Sequence, residues 1–128
     1  RNNNPGNIED RSGTRWQGQT GNDGRFVRFQ TPEHGLRALS RDLGTKMGRG
    51  LTSVRSILED YAPREENDTD AYVAAVSRSL GVGPTARLDP NDVRLRAGLM
   101  AAIIQHENGQ QPYSQALIQE GARAGMRR

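Results

Sequence analysis

The sequence predicts a mainly α-helical fold of about five helices with a small β-hairpin near its start. From residue 31 onward, apolar side chains recur every three or four positions, which is the period of an amphipathic helix. Proline and glycine residues interrupt this pattern at intervals that suit short helices. Residues 1–31 are instead rich in Asn, Gly and Arg and have no helical period. Because 128 residues suit one domain, we expect a loop and hairpin over 1–31 and a helical body over 32–124.

The hairpin is predicted by a turn signal at Asp23-Gly24. A short β-prone run with Phe26 and Phe29 follows this turn, and the stretch TRWQG just upstream is expected to supply the opposing strand. We expect Trp16, Phe26 and Phe29 to fix the hairpin onto the helical body.

Capping and stop residues delimit the five predicted helices. In chain order, these helices run from Thr31 and Pro32 to Gly48, from Thr52 to just before Pro63, from Asn67 or Thr69 to Gly81, from Asp89 and Pro90 to about Asn108, and from Ser114 through Ile118. The fourth is the longest and carries the most apolar run of the chain, Leu99 to Gln105. We therefore expect it to be the central helix.

The composition excludes several classes of function. Of the 18 cationic residues only Lys46 is a lysine, and the charges behind the net +3 are interspersed along the chain. Nucleic acid is not an expected partner, because no clustered basic helix with stacking aromatics is present. With no cysteine and two histidines, we expect no disulfide, metal or other cofactor. No apolar run approaches the roughly 18 residues of a membrane span. Because the chain begins with Arg1, we expect it to be processed or part of a larger protein.

Glu107 continues the apolar side of the longest predicted helix. It follows Ile103 by four residues and Ile104 by three, just before an Asn-Gly stop. Lost hydration and the negative end of the helix dipole both oppose ionisation of this carboxyl group. A carboxylic acid that stays protonated can protonate the leaving oxygen of a glycosidic bond. The alternative is that the side chain turns back to water, or accepts hydrogen bonds from Asn108 or the following loop.

Two resemblances extend this interpretation. The segment AAIIQHENGQQPYS resembles the catalytic segment of lysozyme-like lytic transglycosylases and related peptidoglycan glucosaminidases. Six stretches across nearly the whole chain resemble, in order and spacing, a family of small bacteriophage virion structural proteins suspected of lysozyme-like activity. These stretches are RNNNPGNI, W-x-G at 16–18, DGRFVRF, P-x-x-GLRAL at 32–39, YAPREENDTDAYVAAVSRSLGVGP and ENGQQPYS. The resemblance implies a lysozyme-like bundle in a phage virion, with other virion proteins as partners and peptidoglycan in the bacterial periplasm as its target.

The first seven residues, RNNNPGN, are dense in side-chain amides, which both donate and accept hydrogen bonds and therefore suit sugar hydroxyl and acetamido groups. The candidates for lining a glycan cleft are Arg1, Asn3, Asn4 and Asn7. Asparagine also favours turns, so the same residues could instead hold the turn around residues 5–6.

The loop after Glu107 supplies further candidates for sugar binding. Tyr113 is free to stack on a sugar, while Gln110 and Ser114 could contact it or shape the turn. The resemblance to lytic transglycosylases implies that one acid/base residue is sufficient for cleavage, because in that reaction the sugar's own hydroxyl is the nucleophile. A hydrolase needs a second carboxylate, for which the available residues are Asp23, Glu33 and Glu66.

Other acidic residues have simpler interpretations. Glu33 in a first helical turn is explained by the helix dipole. The run Glu65, Glu66, Asp68 and Asp70 lacks the spacing of a calcium loop, so we expect a solvated capping loop there.

Two functions remain open. The first is a virion-associated domain that cleaves the β-1,4 bond between N-acetylmuramic acid and N-acetylglucosamine, with Glu107 as acid and then base. In it, Asn3, Asn4, Gln110 and Tyr113 position the sugar. The second is a non-catalytic component of a tail or capsid, in which Glu107 is expected to form a salt bridge with an arginine.

Overall fold

A computed structural model describes residues 2–11, 13–62 and 68–127 of the chain. These residues form a two-stranded antiparallel sheet and five helices. The elements are β1 (Gln19–Asn22), β2 (Val27–Phe29), α1 (Pro32–Gly48), α2 (Val54–Tyr61), α3 (Thr69–Leu80), α4 (Val93–Asn108) and α5 (Gln115–Met126). The prediction of a mainly helical fold with a small N-terminal hairpin is confirmed. Within the described ranges, no helix is both long enough and apolar enough to cross a membrane.

Several helix ends follow the predicted local chemistry. Thr31 caps α1 with Pro32 at its first position, and Ser114 caps α5; each side chain accepts a hydrogen bond from a backbone N–H in the first turn. Gly81 ends α3 in the left-handed conformation that glycine adopts without steric cost. Ser53 caps α2 in a reciprocal capping box with Ser56, one residue after the predicted start.

The start of α3 differs from the prediction. Asp68 is the cap, and its carboxylate accepts a hydrogen bond from the backbone N–H of Ala71. Thr69 is the first helical residue, and its buried hydroxyl donates to the carbonyl of Ala62 at the end of α2. Asn67, the other predicted cap, lies outside the described residues, as do Arg1, Glu65 and Glu66.

The start of α4 also differs, since the helix begins at Val93 after the cap Asp92 and not at Pro90. Asp89 and Pro90 form a separate turn, in which Asp89 accepts hydrogen bonds from the next two backbone N–H groups past the proline. Asp92 then accepts from the N–H of Leu95, which is the bond of a true cap. Asp89 and Asp92 can both cap a helix, and Asp92 is the residue that caps α4.

The hairpin uses a different first strand from the one predicted. Residues 16–19 form a turn closed by a hydrogen bond from the N–H of Gln19 to the carbonyl of Trp16, so TRWQG is not a strand. β1 begins only at Gln19 and pairs with β2, with an irregularity in register between Gln19 and Gly21. The turn at Asp23-Gly24 is where the sequence predicts it.

The apolar side chains form two clusters. A small cluster joins the hairpin to α1 through Ile8, Val27, Phe29 and Ala38, with Trp16 packed against it. Phe26 does not belong to this cluster and instead lies under the guanidinium group of Arg25, which is 4.8 Å from the ring centroid. The larger cluster fills the space between the helices, and its largest fully buried side chain is Tyr72.

The longest helix is α1, with 17 residues, and not α4, with 16. α1 packs against α2, α4, α5 and β2, whereas α4 packs against α1, α3 and α5, so the central position predicted for α4 is shared with α1. Small residues let α5 lie close to α1. A Cβ atom on Gly121 would lie 2.6 Å from the Cβ of Leu36, and one on Gly125 would lie 2.5 Å from the Cβ of Ser40. Close backbone approach thus explains the extensive packing of α5 on α1.

The N-terminal loop, residues 2–8, crosses α1 without regular secondary structure. Asn2, Asn3 and Asn7 have φ values of 60°, 51° and 53°, in the left-handed region that asparagine tolerates better than most residues. The loop passes so close to α1 that a Cβ on Gly35 would lie 1.9 Å from the carbonyl oxygen of Asn3. Glycine at position 35 is therefore required for this crossing.

Candidate functional site

Glu107 lies in the last turn of α4, where the helix is fixed to the N-terminal loop. Asn108 is the last helical residue, and its side-chain amide donates to the carbonyl of Pro5 at 3.0 Å and to that of Ile104 at 2.9 Å. Gly109 follows with φ of 73° and closes the helix. The Asn-Gly stop thus both ends the helix and holds the loop.

The carboxylate of Glu107 joins three segments of the chain. The side-chain amide of Asn7 donates to Oε1 at 3.1 Å, and the hydroxyl of Tyr72 donates to Oε2 at 3.0 Å. The N-terminal loop, α3 and α4 therefore meet at one half-buried acid. Both donors are neutral, and within the described residues Glu107 has no salt bridge, contrary to the expectation for a structural role.

Tyr72 is held in one orientation by its surroundings. Its ring is fully buried and stacks on the ring of His106, with centroids 3.6 Å apart and an interplanar angle of 11°. Burial raises the pKa of Tyr72 well above its usual range, and the charge and hydrogen bond of Glu107 raise it further. The hydroxyl therefore keeps its proton and remains a donor to Glu107.

A second tyrosine holds the other side of the loop. Tyr61, at the end of α2, donates its hydroxyl proton to the carbonyl of Gly6. Burial is the main cause that raises the pKa of Tyr61, with smaller contributions from neighbouring groups that include Asp42 and Glu107. The backbone of residues 5–6 is thus bound from α4 by Asn108 and from α2 by Tyr61.

A cavity of about 380 Å³ opens beside Asn7 and Tyr61. Its wall includes the half-buried ring of Trp16 and the buried ammonium group of Lys46, which bonds to Asp60 at 2.9 Å and to Asp42 at 3.3 Å. Glu107 is not among the described residues that line this cavity. A separate cavity of about 360 Å³ between α3 and α4 is lined in part by His106.

The structure separates the three candidate asparagines by role. Asn7 reaches Glu107, as described above. Asn3 donates to the carbonyl of Phe29 at 3.0 Å. Asn4 is 3% exposed; its amide donates to the carbonyls of Ile8 and Val27, and its oxygen accepts from the N–H of Ile8. The side chains of Asn3 and Asn4 thus hold the loop against β2.

The candidates that follow Glu107 lie on the connection to α5. Ser114 uses its hydroxyl oxygen to cap α5 at the N–H of Leu117. Tyr113 packs against the large apolar cluster, and its partial burial raises its pKa. Gln110 is exposed. In the described structure, no hydrogen bond joins these three residues to Glu107.

The acids proposed as a second carboxylate have other positions. Asp23 stabilises the hairpin turn, where hydrogen bonds from the backbone of Phe26, the side chain of Asn2 and the backbone of Arg25 lower its pKa to about 2. Glu33 is exposed in the first turn of α1, and Glu66 lies outside the described residues. Among the described residues, no group of three or more acidic or histidine side chains could hold a metal ion.

The sequence predicted neither hydrogen-bond partner of Glu107, since Asn7 was expected only to line a glycan cleft or hold a turn. The apolar periodicity of the third helix places Tyr72 on its buried side, but the pairing of Tyr72 with position 107 has no local signal. The Lys46 cluster was also missed, although the single lysine in an arginine-rich chain, four residues after Asp42, is a signal that could have revealed it.

Comparison with known proteins places the chain in a phage protein family. It is 40% identical over 126 residues to Protein P5 of Pseudoalteromonas phage PM2, a match that covers 94% of this chain and 77% of that protein. The chain belongs to the Protein P5 family. The predicted relation to phage proteins is confirmed by this match, which carries no indication of a lysozyme-like domain. No family model matches the sequence.

Replacing Tyr72 with phenylalanine tests the hydrogen bond to Glu107 in this member of the P5 family. The ring can still stack on His106, so only the hydroxyl is lost. We expect the free energy of unfolding to fall by about 1–2 kcal/mol in urea denaturation followed by circular dichroism. Tyr113→Phe is the matched control, because its hydroxyl has no hydrogen-bond partner among the described residues, and it should change stability by less than about 0.5 kcal/mol. Equal effects of the two variants would show that the Tyr72 hydroxyl contributes nothing specific.

Proposed function

We propose that this chain is a structural component of a phage virion. Its membership in the P5 family supports a phage role, and the sequence resembles small virion structural proteins over nearly its whole length. The observation that supports a non-catalytic component is the pair of hydrogen bonds that the Glu107 carboxylate accepts. Its two oxygens accept hydrogen bonds from the N-terminal loop and from α3, which supports a role in holding these segments together.

The geometry around Glu107 suits a component that must keep its shape during assembly. Three polar side chains from separate helices, Tyr61, Tyr72 and Asn108, bind the loop or the acid that holds it. A loop with few backbone hydrogen bonds is thereby fixed at several further points. Other virion proteins are the partners that this proposal implies.

The virion proposal predicts that the chain is part of purified particles. Quantitative mass spectrometry of gradient-purified particles, from a phage that encodes this chain, should find it in constant ratio to the major capsid protein through a high-salt wash. A phage-encoded replication protein serves as the control and should be removed. Loss of the chain at the same step as the control would contradict a structural role.

The second candidate function is peptidoglycan cleavage within a lysozyme-like domain. One observation favours it: a half-buried carboxyl group at a helix end is held in fixed orientation by two donors, and one of these, Asn7, lines a cavity with an aromatic wall. In this candidate, Glu107 acts as acid and then base in a lytic transglycosylase reaction at the β-1,4 bond. Asn7, Gln110 and Tyr113 would position the sugar, while Asn3, Asn4 and Ser114 would shape the loops around it.

Incubation with peptidoglycan, followed by mass spectrometry of the released muropeptides, separates the two functions. Glu107→Gln is the informative variant, because its amide oxygen can still accept from Tyr72 while it can no longer transfer a proton. The structural proposal predicts no release by either protein. Anhydro products from the parent, reduced at least about a hundredfold in the variant, would establish the transglycosylase. Equal release by both proteins would assign the chemistry to another residue.

A further inference from the structure

Arg96 is a buried cation with no acidic partner among the described residues. It lies in the first turn of α4 and is 4% exposed. Its guanidinium group donates to the carbonyl of Ser40 at 2.8 Å and to that of Pro90 at 2.7 Å, while Nε is buried without a hydrogen-bond partner. All these acceptors are neutral. A charge withdrawn from water without a counter-charge is unfavourable, so an anion beside it would stabilise the fold.

A second arginine, Arg41 of α1, lines the same cavity as Arg96, and its guanidinium group donates to the carbonyl of Arg127 at 2.5 Å. Arg37 and Arg41 are one turn apart on α1, and neither forms an ion pair in the described parts of the chain. Burial lowers the pKa of Arg37, and the charge of Arg41 lowers it further, as expected for two cations in proximity. Burial also lowers the pKa of Arg96. Arg41 and Arg96 thus bring two positive charges to one cavity, and neither forms a salt bridge in the described parts of the chain.

A cavity of about 320 Å³ lies at this place, between α1, the turn before α4 and the end of α5. Arg41, Thr45, Asn91 and Arg96 line it, and none of its described lining residues is acidic. The acids next to the lining residues in sequence are Asp42, which pairs with Lys46, and Asp89 and Asp92, which accept hydrogen bonds from backbone N–H groups before and at the start of α4. A Cβ on Gly44 would lie 3.1 Å from Nη1 of Arg96, so the absence of a side chain leaves room for the guanidinium group.

We propose that this cavity binds a phosphate group, either free or as a monoester, between Arg41 and Arg96. Two guanidinium groups match the charge of a phosphate dianion and offer it several charge-assisted hydrogen bonds. The side chain of Asn91 adds a neutral donor to the wall. A cavity of this size takes one such group, whereas a nucleic-acid strand needs an extended basic groove.

Isothermal titration calorimetry at constant ionic strength tests the proposal with inorganic phosphate, glycerol phosphate and acetate. We expect saturable binding of at least one phosphate compound, with acetate weaker than both. Arg41→Ala, which leaves the apolar core intact, should weaken binding by about tenfold or more, and Arg41→Glu should abolish it. Arg78→Ala, at an exposed position of α3 that does not line the cavity, is the control and should bind like the parent.

The two phosphate compounds distinguish the source of the group. Tighter binding of glycerol phosphate indicates a phosphorylated molecule as the ligand, and tighter binding of inorganic phosphate indicates the free ion; either result supports the proposal. Circular dichroism of each variant confirms that it is folded. Absence of saturable binding below roughly 50 mM phosphate would overturn the proposal. So would unchanged affinity in Arg41→Ala, or tighter binding of acetate than of either phosphate compound.

Discussion

The hydrogen bonds that the Glu107 carboxylate accepts join the N-terminal loop to the helices, and the position of the loop and the hairpin depends on this junction. The loop has few backbone pairs of its own, so its polar groups are satisfied by side chains. The side chain of Asn7 in the loop donates a hydrogen bond to α4, and that of Asn108 in α4 donates one to the loop. The side chain of Asn4 in the loop donates one to β2. Side-chain amides thus add to the two backbone hydrogen bonds that the loop accepts from β2.

α1 provides the surface on which this arrangement is built. Gly35 lets the loop cross one end of the helix, while Gly121 and Gly125 let α5 approach along its length. Backbones can approach this closely only where no side chain lies between them. A larger residue at any of these three glycine positions should therefore destabilise the fold. The same closeness brings the end of α5 to the cavity beside Arg96, so the packing of the core also forms the cationic site.

Much of the fold was predictable because helix caps and apolar periodicity are local signals. Thr31, Gly81 and Ser114 act as their sequence context indicates. The start of α4 was not predictable, since two aspartates of equal capping chemistry lie close together and the choice depends on the folded structure. One contribution to that choice is non-local in the chain: Arg96, itself bonded to α1, holds the carbonyl of Pro90 outside the helix.

The candidate site was predictable only in part. Periodicity placed Glu107 on the inward side of its helix, but Asn7 and Tyr72 lie 100 and 35 residues away, so their convergence needs the tertiary structure. A double-mutant cycle of Asn7→Ala and Glu107→Ala tests the junction most directly, because the backbone strain of alanine at position 7 cancels in the cycle. The predicted result is a coupling free energy of about 1 kcal/mol or more in urea denaturation. Additive effects within error would show that the two residues are not joined, and would contradict the structural role assigned to Glu107.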